Sequence, residues 1–169
     1  MSGWRQARAI ALLPGSVTIV VPALILALTS GPELGWGLGG VPGALLAAVG
    51  IALIVGGFSL WLWTVRLFSR IGKGTLAPWD PTRRLVVEGP YSHVRNPMIT
   101  AVVVLLVGEA TLLGSPWVLV WAGAFLGANF IYFLLVEEPG LERRFGEQYR
   151  TYKRAVPRWI PRLDPWRPG

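Results

Sequence analysis

The 169-residue chain contains no cysteine and a single histidine. Without thiols it forms no disulfide, no thiolate metal centre and no cysteine nucleophile, and one imidazole is too few for a zinc site of the usual ligand set. Charge is also sparse, at 15% of residues against 53% hydrophobic, where soluble domains carry about 25% charged residues. The expected solvent is therefore the lipid bilayer. The acids number 9 against 16 lysines and arginines, for a net charge of +7. These basic residues are interleaved with long apolar runs and form no separate polar face, so the expected partner is anionic lipid headgroup and not nucleic acid.

Four apolar segments, about 9–30, 41–63, 98–114 and 116–136, approach the roughly 20 residues that cross a bilayer as helix. The first follows Arg5 and Arg8 but is too long for the core of a signal peptide and contains Pro14 and Pro22, so it reads as a retained span. Every lysine and arginine lies in the N-terminus, between Arg66 and Arg95, or between Arg143 and Arg167. The connections "GPELGWGLGG" and "LGS" carry no positive charge. By the positive-inside rule, the expectation is an all-α polytopic membrane protein, one domain over 1–169, with about four transmembrane helices and both termini cytoplasmic. Only Leu113, Gly114 and Ser115 join the third and fourth segments, with Pro116 suited to the first position of a helix. A tight hairpin is expected, flanked by cytoplasmic segments 64–97 and 137–169 that meet at its inner mouth.

The polar chemistry collects in those two segments. In "RIGKGTLAPWD", Gly72 and Gly74 permit close approach of backbone to a ligand, or simply a flexible turn. In "EGPYSHVRNPM", Pro97 disfavours helical geometry at Asn96, so a helix begins at or just after the proline. Its first N–H groups, with Arg95 beside them, suit a carboxylate; the alternative is an interfacial cap with Arg95 on lipid phosphate. In "VEEPGLERRFGEQYRTYKRAVPRWIP", Glu137 and Glu138 stand at the membrane surface, where a cationic ligand or an arginine partner relieves them. Equally, acids suit the first turn of a helix opened by Pro139. Leu141, Phe145, Tyr149 and Tyr152 recur at helical spacing, which predicts a C-terminal amphipathic helix on the inner leaflet or folded over the site. Within the spans, Glu109 is close enough to the outer turn to reach water, and Asn129 is suited to bonding a neighbouring helix.

In order along the chain, "GKGTLAP", "GPYSHVRNPM" and "EEPGLERRFGEQYRTYKRAVPRWIP" resemble the integral-membrane methyltransferases. That family includes isoprenylcysteine carboxyl methyltransferase and the phospholipid N-methyltransferases, and the resemblance covers about 66–161. It implies S-adenosylmethionine bound at the cytoplasmic mouth of the hairpin, enclosed by the C-terminal segment, with a hydrophobic methyl acceptor entering from the bilayer. The implied cofactor-binding positions are Gly72, Gly74, His93, Arg95, Asn96, Pro97, Glu137 and Glu138, with His93, Arg95 and Glu138 as catalytic candidates and no metal. One departure stands out: Ile99 occupies the position where the family commonly has a tyrosine.

Two other classes fit parts of the pattern. The membrane sterol reductases resemble the same C-terminal half and use NADPH, but the 2′-phosphate of that cofactor favours cations where this chain has Glu137 and Glu138. A non-catalytic membrane scaffold with the same fold is the third. Cofactor titration separates all three.

Overall fold

The computed structural model describes residues 14–29, 31–72 and 84–167, and all regular structure among them is helical. A π-helical turn, Ser16–Val20, leads into α1, Val21–Leu28. Helix α2, Gly40–Leu67, continues through a second π turn at Phe68–Gly72. A 3₁₀ turn at Gly89–Ser92 precedes α3, Pro97–Leu113, and α4 is Pro116–Tyr132. A third π turn, Phe133–Glu137, joins α4 to α5, Glu138–Phe145, and α6 covers Glu147–Ala155.

Two continuous helices, Gly40–Gly72 and Pro116–Phe145, are long and apolar enough to cross a bilayer; Ser16–Leu28 and Pro97–Leu113 are shorter apolar helices. Val41, Val55 and Phe58 of α2 and Trp117, Val120 and Ile131 of α4 are exposed on the protein surface. In water such a surface is costly, whereas in lipid it costs nothing. The first expected span falls partly on residues 1–13 and 30, outside the described residues.

Among the described residues the most extensive packing is between α2 and α3. Gly43, Gly50 and Gly57 recur every seven residues along the buried side of α2, a spacing of nearly two helical turns that keeps them on one face. A Cβ on Gly50 would lie 2.7 Å from the backbone nitrogen of Leu112, and one on Gly57 would lie 2.9 Å from the carbonyl oxygen of Ala101. Without a side chain on α2 at these points, the two backbones approach closely enough for dispersion to hold them, the usual device where lipid removes the hydrophobic drive.

Helix boundaries follow local chemistry. Pro97 and Pro116 open α3 and α4 where a missing N–H costs nothing. Between them Gly114 adopts φ +61°, and its N–H donates to the Ala110 carbonyl. Ser115 caps α4, its hydroxyl accepting from Val118 N–H at 3.4 Å. In the sequence Pro139 suggests that the fourth helix kinks or restarts there; it does not restart. The π turn at 133–137 widens the hydrogen-bonding register immediately before it, so the chain absorbs the missing donor and stays helical to Phe145. The expected single amphipathic helix is instead broken at Gly146, whose φ of +54° and ψ of −130° suit only glycine.

Two cores result. Val102, Leu106 and Ala122 are buried between α3 and α4, with Val17, Trp61, Trp121 and Phe125 packed around them. The Trp121 indole donates to the Val17 carbonyl at 3.0 Å and ties the first helical segment to α4. At the charged end, Tyr149, Tyr152 and Val156 form a second core with Leu85, Val87, Leu141 and Phe145. The amphipathic face therefore packs on the 85–96 loop.

Candidate functional site

A cavity of about 570 Å³ opens between these cores, within the range of small-molecule sites. Val17, Trp61, Val102 and Phe125 line its apolar part, and Arg95, Asn96, Tyr132, Glu137, Arg144 and Tyr149 line its polar part. Along the continuous helix, Phe125 and Glu137 are twelve residues apart, so the two parts are separated by about 18 Å. One compartment thus runs from polar groups near the helix ends to an apolar region among the helices.

Arg95 and Asn96 reach it because Pro97 forces the chain to enter α3 from a non-helical residue, Asn96 at φ −119° and ψ +53°. Asn96 is buried, and its Nδ2 has no hydrogen-bond partner among the described residues; neither does the buried Nε of Arg95. Native proteins rarely bury donors unpaired, so such groups point to an absent ligand or water. Met98 and Ile99, also on the cavity wall, contribute first-turn N–H groups that have no partner within the helix. Together these donors can hold a carboxylate.

The adjacent acids have different surroundings. Glu138 is buried and fully engaged: Oε1 accepts from Arg95 Nη1 at 2.9 Å and from Arg158 Nε at 2.8 Å, and Oε2 lies 3.1 Å from Lys153 Nζ. Lys153 also bridges to Glu142 at 2.7 Å. This cluster fastens α5 to the loop before α3, to α6 and, through Arg158, to the chain that follows α6. Glu137 instead lines the cavity, where it accepts a long 3.4 Å hydrogen bond from the Tyr132 hydroxyl and feels the charge of Arg144. It is the acid available to a cationic ligand.

The remaining sequence candidates lie elsewhere. His93 faces a different groove, and its Nδ1 sits 2.9 Å from the Arg162 carbonyl, an acceptor-only partner that fixes the proton on that nitrogen. Pro97 lines the same groove as His93. Gly72 is buried at the end of its π turn and does not line the cavity; Gly74 lies outside the described residues. Asn129 faces the cavity but donates to the Phe125 carbonyl of its own helix at 2.8 Å and not to a neighbouring helix among the described residues. Glu109 is half-buried, and its Oε2 is enclosed without a hydrogen-bond partner among the described residues.

Sequence reasoning gave no role to Lys153, Arg158 or Tyr91. The Tyr152 hydroxyl donates to the Tyr91 carbonyl at 2.7 Å, while the Tyr91 ring borders the cavity. Burial pushes both phenols well above their ordinary range, so both stay protonated even in alkaline solution. The only advance signal was the 3.6-residue period that put Tyr149 and Tyr152 on one face.

The described residues contain no cluster of potential metal ligands, and the groups lining the cavity are those of an organic zwitterion's site: guanidinium, amide and helix N–H groups together with a carboxylate. A family model described as phospholipid methyltransferase matches residues 45–148. The chain belongs to the phospholipid methyltransferase family. Neither the curated proteins nor the solved structures gave a match. The phospholipid methyltransferase match runs from within α2 to the start of α6 and takes in Arg95, Asn96, Glu137 and most of the cavity lining, whereas Val17, Tyr149 and Tyr152 lie outside it. Membership makes the protein one of a membrane-associated methyltransferase family. Ile99, the departure noted in the sequence, is on the cavity wall, where phenols arrive from Tyr91, Tyr132 and Tyr149 on other elements.

Proposed function

We propose that this protein transfers a methyl group from S-adenosylmethionine to a lipid or other hydrophobic acceptor at the cytoplasmic face of the membrane. The observation that carries the reading is the cavity itself, polar and bearing unpaired buried donors at one end and apolar among the helices at the other. The cofactor's carboxylate suits Arg95, the Asn96 amide and the N–H groups of Met98 and Ile99; its ammonium suits Glu137. When bound, S-adenosylmethionine supplies a methyl group activated by the sulfonium.

The chain's own work is then positioning and exclusion. Arg95 and Asn96 fix one end of the cofactor, and Glu137 orients the other. Glu138 keeps Arg95 in place. The side chains Trp61, Val102 and Phe125 admit an apolar acceptor and exclude water, so that nucleophile, methyl and leaving sulfur are aligned before reaction. Such alignment is worth up to about 7–11 kcal/mol in favourable cases and needs neither a metal nor a covalent intermediate.

The topology that goes with this reading is four crossings with both termini cytoplasmic, α3 and α4 forming a hairpin whose inner end bears the site. The charge distribution supports it, because both outer connections lack lysine and arginine.

Calorimetric titration tests the site. Wild type should bind S-adenosylmethionine, and Asn96→Ala should bind it at least several-fold more weakly, as expected for losing a hydrogen bond to a charged group worth about 1.5–3 kcal/mol. Binding of NADPH in place of S-adenosylmethionine would contradict the proposal in favour of a reductase.

A further inference from the structure

After α6 the chain continues as an irregular strap, residues 156–167, paired to the loop before α3. Arg95 N–H donates to the Pro157 carbonyl at 2.9 Å, Arg162 N–H to the His93 carbonyl at 3.0 Å, and Trp166 N–H to the Ser92 carbonyl at 2.9 Å. These bonds orient the strap's side chains. Trp166 turns inward against Tyr152, with ring centroids 5.5 Å apart. Ile160 and Leu163 turn outward and are 80% and 95% exposed. Two branched aliphatic side chains directed fully away from the protein are more stable in an apolar surround than in water.

The height of the strap identifies that partner. Pro161, Pro165 and Trp166 share a groove of about 620 Å³ with Leu60 and Trp63 of α2. Trp63 and Leu60 precede Arg70, near the basic end of that helix, by seven and ten residues, which sets them about 10–15 Å along the helix from it. The strap therefore runs alongside α2, level with Leu60 and Trp63, and not beyond the basic end of that helix. Trp63, 53% exposed, sits where interfacial aromatic side chains collect. The charge is complementary to an anionic surface: Arg162 and Arg167 flank Asp164, and Arg167 is exposed with no ion pair among the described residues.

We propose that the strap docks into the leaflet on its side of the bilayer, with Ile160 and Leu163 entering the acyl boundary and Arg167 meeting the phosphates of anionic lipids. Because the strap is bonded to the backbone of Ser92, His93 and Arg95, the leaflet becomes part of the scaffold that sets the edge of the cavity. The inference rests on the membrane orientation proposed above. Its readout does not involve methyl transfer, so its failure is distinct from failure of that reading.

The absence of native cysteine makes the test direct. Leu163→Cys, labelled with a bimane fluorophore, is reconstituted in nanodiscs of phosphatidylcholine with or without phosphatidylglycerol. Quenching by aqueous iodide is then compared with quenching by a nitroxide attached to a lipid chain near the headgroup. Val55→Cys serves as the lipid-facing reference and Glu147→Cys as the aqueous one. With phosphatidylglycerol, the label at 163 should be protected from iodide several-fold relative to that at 147 and quenched by the lipid nitroxide, and Arg167→Gln should reduce both effects. Iodide quenching equal to that at Glu147→Cys would overturn the docking. Insertion to the same extent without phosphatidylglycerol would overturn the assignment to an anionic leaflet.

Discussion

Converting each of the adjacent acids to its amide should have opposite consequences. Glu138 is buried among Arg95, Lys153 and Arg158, and removing one partner of a buried ion pair costs about 3–5 kcal/mol because the remaining charges are left uncompensated. Glutamine keeps an acceptor oxygen, and Lys153 is 36% exposed, which places Glu138→Gln at the lower end, about 3 kcal/mol. At about 2–4 °C per kcal/mol for a chain of this size, the thermal midpoint in detergent should fall by roughly 6–12 °C. Glu137 has no such cluster and faces the cavity, so Glu137→Gln should leave the midpoint within about 2 °C, under 1 kcal/mol. It should weaken S-adenosylmethionine binding by about 1–3 kcal/mol, roughly 5- to 150-fold. Thermal unfolding and calorimetry on the same preparations measure both quantities. A stable Glu138→Gln protein with weakened binding, beside a Glu137→Gln protein with unchanged binding, would refute the assignment of roles.

Three further outcomes follow from the geometry. Asn96→Ala should lower cofactor affinity with little change in stability, whereas His93→Ala, which removes the bond to the Arg162 carbonyl, should cost about 1 kcal/mol of stability and leave cofactor affinity close to wild type; equal losses of affinity would put His93 back in the site. Gly50→Leu should disrupt the α2–α3 contact, since its Cβ alone would lie 2.7 Å from Leu112 N, while Gly123→Leu, which meets nothing within 4 Å, should unfold at the wild-type temperature. Reporter fusions at Gly35 and at Gly169 should report opposite sides of the membrane, and the same side for both would overturn the four-span topology.

The sequence made the helix starts at Pro97 and Pro116 legible because proline acts locally, through its own ring and missing donor. It also brought Arg95, Asn96 and Glu137 into one neighbourhood, since the spans between them set where their loops meet. It left Glu137 and Glu138 undivided. Neighbours on a helix differ by about 100° in direction, but which one faces inward depends on the helix continuing through Pro139, and that depends on a π turn with no residue signature. His93 was assigned to the cofactor because the motif groups it with Arg95. In the fold the two residues line different cavities, and the carbonyl that holds the imidazole comes from 69 positions away. The strap's pairing to the loop has no periodicity to read, being three backbone bonds between irregular segments. Gly146 could be recognised as a breaker only once the phases of the helices on either side were known.

The central claim is that the cavity joins an S-adenosylmethionine site to an acceptor drawn from the membrane. The most direct measurement gives purified protein S-adenosylmethionine carrying a labelled methyl group, with total membrane lipid as acceptor, and follows the label by extraction and mass analysis. Wild type should transfer label into the lipid phase, on a product one methyl group heavier than its parent, and Glu137→Gln and Asn96→Ala should do so far more slowly at limiting cofactor. No labelled lipid from a folded wild-type protein that also fails to bind S-adenosylmethionine would contradict the account.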